Sequence, residues 1–203
     1  PNPTLVYLDT SSSPYVMKTV QVDINNPISF NSSSTIVSDV NATNPMYDVA
    51  VNSSDADAGN AVFAYNANAS TTLGVGYIGT DGVVGGPSTG FPGAVLIGST
   101  NTNDHITLCT DRVNTDPTQS ERVYVAYSSR TASAGLKIKR LKSTLTVEAT
   151  HTVEGSGTEI KGASVIVTQA GDLQIIYTMS ATNSYDYQVK GALYDISADS
   201  MGS

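Results

Sequence analysis

A chain of 203 residues is long enough to bury a core as one all-β unit. With 14% charged residues, 11 Tyr, 3 Phe and no Trp, its surface must be built largely from Ser, Thr, Asn, Gly and Ala, which suits a virion or extracellular protein. The net charge of −8 is uneven: residues 1–111 hold nine Asp against one base, Lys18, and residues 112–203 hold nine bases against nine acids. That balance argues against nucleic-acid binding, which needs a basic face to neutralise phosphates. Cys109 is the sole cysteine, which excludes an intramolecular disulfide, and no apolar run approaches the roughly 20 residues that span a bilayer.

Strands are marked by β-branched and aromatic residues in alternation, bounded by Gly, Pro, Asn, Asp and Ser. The chain opens almost directly on a strand at 5–9, as expected of a part excised from something longer, and continues with strands at 15–23 and 35–37. Further strands are predicted at 46–51, 61–66, 72–79, 83–84 and 94–98, then at 105–109, 122–129, 135–141 and 144–153, and last at 163–168, 173–178 and 185–196. Residues 201–203 read as a tail.

Four of these segments are versions of one another: LVYLD from Leu5, AVFAY from Ala61, VYVAY from Val123 and LQIIY from Leu173. Their starts lie 56, 62 and 50 residues apart (61−5, 123−61, 173−123), a period that marks stacked or radially repeated β units. The repeat divides the chain into a partial unit at 1–45, two units at 46–104 and 105–162, and a partial unit at 163–203. Near-continuous apolar runs such as 123–127 suit inner strands buried on both faces. The basic strand 136–141 alternates Leu136, Ile138 and Arg140 with Lys137, Lys139 and Leu141, and reads as a solvated edge strand guarded against aggregation.

This order of strand, Gly-Asp turn, strand, polar hairpin and strand resembles that of β-propeller proteins, without the Gly-His and Trp-Asp signatures or the Trp spacing of their common repeat families. The implied fold is an irregular propeller of about 3.5 four-stranded antiparallel blades. A propeller needs roughly four to eight blades, so other copies or other subunits would complete the ring. A β-sandwich is the alternative. Irregular propellers with such surfaces resemble the tail-tube, nozzle and fibre proteins of tailed bacteriophages, where a ring serves as a rigid collar.

Asp55 and Asp57, in Asp55-Ala-Asp57-Ala-Gly59, offer two carboxylates and a turn glycine, the start of a Ca²⁺ cage; the competing reading is an acidic hairpin turn. No other cofactor is implied. Thr80-Asp81-Gly82 reads as a turn. His105, Cys109 and Asp111 share one strand face, which a metal could exploit, against a buried thiol acting as a small hydrophobe. Ser88 sits in a G-x-S-x-G string with no strand before it or helix after it, and Gly74-x-Gly76-x-x-Gly79 matches a dinucleotide fingerprint with no helix following. Glu148, Glu154 and Glu159 are possible members of a glycosidase carboxylate pair. The sequons at Asn31, Asn41, Asn52 and Asn68 are expected by chance in so Asn/Ser/Thr-rich a chain, and the tyrosines could stack on sugars if exposed.

No motif names a reaction, so the sequence points first to a non-enzymatic structural or assembly component of an extracellular particle, such as a phage tail. The alternative is a secreted propeller that binds or hydrolyses glycans with Tyr and Asp/Glu at one rim.

Overall fold

The computed structural model describes residues 3–25, 29–51, 61–68, 72–79, 82–84, 94–98, 103–111, 122–129, 135–168, 171–181 and 186–202. These residues form four sheets of four antiparallel strands, with no helix among them. The first sheet holds β1 (Thr4–Asp9), β2 (Tyr15–Asp23), β3 (Ser29–Phe30) and β4 (Ser34–Val40); the second holds β5 (Tyr47–Val51), β6 (Ala61–Asn66), β7 (Leu73–Ile78) and β8 (Val95–Leu96). The third holds β9 (Asn103–Thr110), β10 (Val123–Ser129), β11 (Leu136–Leu141) and β12 (Val147–Glu154), and the fourth β13 (Thr158–Val167), β14 (Leu173–Ala181), β15 (Gln188–Asp195) and β16 (Ser200–Met201).

Sheets two to four are meanders in which each strand pairs with the next. In the first sheet β2 is central, with β1 on one side and both β4 and β3 on the other. The repeated segments are β1, β6, β10 and β14. The first strands β5, β9 and β13 of successive sheets lie against one another, so the sheets converge there.

Three differences from the sequence reading have physical causes. β13 starts at Thr158 rather than Ala163, because its first residues, Thr158, Glu159 and Lys161, are polar and mask the strand signal. The two-residue β16 was not foreseen and gives the last sheet a fourth strand. β11 is not an edge strand: it pairs with β10 on one side and β12 on the other. Its bases are accommodated inside the sheet, with the Lys139 ammonium 5.8 Å from the centre of the Tyr127 ring and Arg140 reaching toward the fourth sheet.

Three cores fill the three spaces between the four sheets. Phe63 and Tyr65 of β6 pack with Met17, Ile36, Val37 and Val40 of the first sheet. Val62 and Ala64, the alternate residues of the same strand, pack with Leu108, Val123 and Val125 of the third. β10 repeats the division: Val123, Val125 and Tyr127 face the second sheet, and Tyr124 and Ala126 face Ile175, Tyr177 and Tyr194 of the fourth. The apolar runs of β6 and β10 are thus each two interleaved half-runs serving two cores, which is what strand alternation demands of a sheet covered on both faces.

The Gly74 and Gly76 string also has a packing cause. Gly74 pairs across from Tyr65 and Gly76 from Phe63, and both rings lie over the bare backbone of β7. A Cβ at Gly74 would stand 2.0 Å from Tyr65 Cε1, and one at Gly76 2.5 Å from Phe63 Cζ. Gly74→Ala is therefore expected to cost about 1–3 kcal/mol by overpacking. In urea unfolding, Gly162→Ala in β13, whose Cβ meets nothing within 4 Å, should remain within about 0.5 kcal/mol of the parent.

Candidate functional site

Asp55, Asp57, Ser88 and Asn52 lie outside the described residues, as do Thr80 and Asp81. Gly82 of that turn has φ +78°, and its amide donates to Gly79 O at 2.9 Å. His105, Cys109 and Asp111 all lie on or beside β9, but no group of three His, Cys, Asp or Glu that could hold a metal ion forms among the described residues. Cys109 instead packs against the core between the third and fourth sheets, and burial, with Asp111 and Asp48 nearby, pushes its thiol up to about 12. Asn41 is buried, and its Oδ1 accepts from the amides of Thr43 and Asn44, so that sequon side chain is part of a turn.

The three glutamates separate by environment. Glu159 pairs with the neighbouring Lys161. Glu148 Oε2 takes both Arg122 Nε at 2.8 Å and Arg140 Nε at 3.1 Å. Glu154, at the end of β12, accepts from the Tyr177 hydroxyl of β14 at 2.8 Å and from Lys190 Nζ of β15 at 3.2 Å. Tyr177 also lines a groove of about 440 Å³ with Val153, Gln174, Gly191, Leu193 and Gly202.

Burial alone would raise the Glu154 carboxyl, but hydrogen bonds from Tyr177 and Lys190 together with the Lys190 charge outweigh it and hold it below its ordinary range. Burial, then the bond to Glu154, pushes the Tyr177 phenol up to about 12. Near neutrality the pair is a fixed phenol donor on a fixed carboxylate, and neither group is poised to exchange a proton.

A second cluster clasps the third and fourth sheets. Arg140 of β11 contacts Asp199 Oδ1 at 2.6 Å and donates to the Tyr194 hydroxyl at 3.1 Å, and His151 Nε2 of β12 lies 2.9 Å from the same Asp199 oxygen. Tyr194 in turn donates to Asp199. The Tyr194 and Tyr124 rings meet edge to face, 6.2 Å between centres. Burial first, then the bond to Asp199, pushes the Tyr194 phenol up to about 12. Asp199 has φ 53°, a left-handed conformation that an aspartate tolerates when its side chain is hydrogen-bonded locally.

The two ends of the array differ from its interior. On the outer face of the fourth sheet Ile166, Ile176, Val189 and Leu193 are all exposed, Val189 to 74%. Strand register places Ile166 opposite Gln174, Ile176 opposite Gly191 and Leu193 opposite Gln174, so this face carries no charged side chain along those pairs. The outer face of the first sheet shows Leu5, Tyr7, Val16, Val20, Val22 and Phe30, with the Lys18–Asp9 pair at 2.6 Å among them.

No protein-family model matches the sequence, and no curated protein matches it. The fold is similar to the crystal structure of the NanB sialidase from Streptococcus pneumoniae in complex with 2-[(3-chlorobenzyl)ammonio]ethanesulfonate, with a TM-score of 0.57 at 8% identity. The match covers 93% of this chain and 28% of that one. The four sheets are therefore repeated blades of a β-propeller-like, all-β fold. At this identity the likeness concerns the fold alone.

The Glu154 site makes a pH prediction. A carboxyl whose folded pKa is depressed stabilises the fold above its unfolded pKa, about 4.3 for Glu, and that contribution is lost as pH falls through the folded value. Glu154→Gln should flatten the acid limb of the stability profile below about pH 5. Tyr177→Phe should cost about 1.5 kcal/mol at pH 7 by removing a hydrogen bond to a charged group; thermal melts from pH 3 to 7 read both.

Proposed function

We propose that this chain is a non-catalytic assembly element, a run of propeller blades that docks through its end sheets on further β sheets to build a rigid collar in an extracellular particle such as a phage tail. One observation carries the reading: the outer face of the fourth sheet exposes Ile166, Ile176, Val189 and Leu193, whereas Ile175 and Tyr177 on its other face are buried against the third sheet. Contiguous exposed apolar faces of this kind mark interaction surfaces. The low-charge surface rich in Ser, Thr and Asn supports the extracellular setting, and the pairing of Glu148, Glu154 and Asp199 to structural partners supports a role without catalysis.

Light scattering on this chain should find a defined oligomer well above the 21.1 kDa monomer. Ile176→Asp with Leu193→Lys should return it to monomer with little change in melting temperature, because both side chains are exposed. A chain that stays monomeric at tens of micromolar would overturn the reading.

A second reading, glycan binding or hydrolysis, is favoured by the Tyr177 and Glu154 pair beside the groove and by the fold likeness to a sialidase. It expects retention of soluble oligosaccharides on an array, weakened by Tyr177→Phe. No retention on the array would remove it.

A further inference from the structure

β11 carries lysines that its place in the sheet does not explain. Lysines on an edge strand guard against edge-to-edge pairing, but β11 lies inside the third sheet, between β10 and β12. Lys18, Arg122, Arg140, Lys161 and Lys190 each pair with an acid. Lys137, Lys139 and Lys142 do not do so among the described residues.

Alternation puts Lys137 and Lys139 on one face of β11, together with Leu141, which packs toward the second sheet. Their backbones stand roughly 7 Å apart along the strand. Register sets Thr152 beside Lys137 and Thr150 beside Lys139 on β12, and Tyr127 beside Lys137 on β10. Both threonines are exposed and both lysines half-buried. The glutamates of β12 are engaged elsewhere, Glu148 by Arg122 and Arg140 and Glu154 by Tyr177 and Lys190. Two ammonium groups held side by side without an acid repel each other: burial first, then the Lys137 charge, holds Lys139 below its ordinary pKa. Strand geometry keeps them together, and the Tyr127 ring lies near the Lys139 ammonium alone.

We propose that this face of β11 and β12 is a binding site for a dianionic phosphate group, either the free ion or a phosphomonoester. Lys137 and Lys139 set two positive charges against a group that carries about −1.5 to −2 at neutral pH, and the Thr150 and Thr152 hydroxyls are neutral donors on the adjacent strand. Lysine serves phosphate as a point charge and needs no fork geometry. A phosphodiester backbone, with one charge per phosphate, matches the pair less well, and the net charge of −8 opposes any long polyanion. The site lies apart from the end faces and from the Tyr177 groove, and it rests on neither reading of function above.

The test is an NMR titration of the whole ¹⁵N-labelled chain with sodium phosphate at about pH 7.5, where the dianion dominates, with sodium chloride holding the ionic strength constant so that screening does not change. The amides of residues 137–139 and 150–152 should shift together and saturate. Lys137→Gln with Lys139→Gln should weaken binding roughly tenfold or more, whereas Lys137→Arg with Lys139→Arg should retain it. Lys142→Gln, at an exposed position just after β11, should leave it unchanged, which separates a site from general attraction to positive charge. Unchanged amide shifts in β6 and β14 would show that each variant is folded. Glucose 6-phosphate binding more tightly than inorganic phosphate would assign the site to a phosphomonoester, and equal affinity would assign it to the free ion. Shifts that rise without saturating, that chloride reproduces, or that survive in the folded double glutamine variant would overturn the proposal. Equal weakening by Lys142→Gln would also do so.

Discussion

The two inner sheets of this protein, the second and the third, must bury apolar side chains on both faces. β10 shows how the chain meets that constraint. In five residues it sends Val123, Val125 and Tyr127 into one core and Tyr124 and Ala126 into the next, so the strand has no solvent face. β6 does the same with Val62 and Ala64 on one side and Phe63 and Tyr65 on the other. At about 25 cal/mol per Å² of apolar surface removed from water, this double coverage is the main stabilising term. Stability is then close to a sum over neighbouring sheets, as in other repeat architectures.

Polar ties sit on top of that packing and differ from junction to junction. Between the first and second sheets the Tyr65 hydroxyl donates to Asp39 at 2.9 Å. Between the second and third, Asp48 Oδ2 accepts the Leu108 amide at 2.9 Å and Thr110 donates to Val51 O at 3.0 Å. Between the third and fourth lie the Arg140, Asp199 and His151 cluster and the Tyr177, Glu154 and Lys190 cluster. Nonspecific sheet stacking would allow slippage. Such directional contacts fix which pair of sheets meets and in which register, a role for which buried polar networks are suited when each member is satisfied. Most of the charged ties fall at the last junction because residues 112–203 contain nine of the ten bases.

The architecture was legible because its cause is local. The Val123 to Tyr127 run could be buried only by having a sheet on each side, and its recurrence at Leu5, Ala61 and Leu173 gave the repeat. β16 was not legible, since two residues in a turn-rich segment carry no periodicity, and the polar start of β13 hid five of its residues (158–162). The bases of Leu136–Leu141 suggest an edge strand, yet it is paired on both sides, with Arg140 held by Glu148 and Asp199 and Lys139 near the Tyr127 ring, partners that lie elsewhere in the sequence. The glutamates could not be ranked in sequence at all. What distinguishes Glu154 from Glu159 is Tyr177 and Lys190, which are distant in the chain and adjacent only through the packing of the fourth sheet on the third.

The stacking keeps one sense along the chain. Successive sheets touch through their first strands, β5 on β9 and β9 on β13, and each sheet presents its next neighbour with the face opposite to the one it used before. Such contacts are heterologous, joining unlike faces, in contrast to the self-complementary contact of a two-fold dimer. Repetition of a heterologous contact gives a ring if the rotation closes and a filament if it does not. Convergence at one edge makes each blade a wedge, and wedges turn around an axis on the side of β5, β9 and β13.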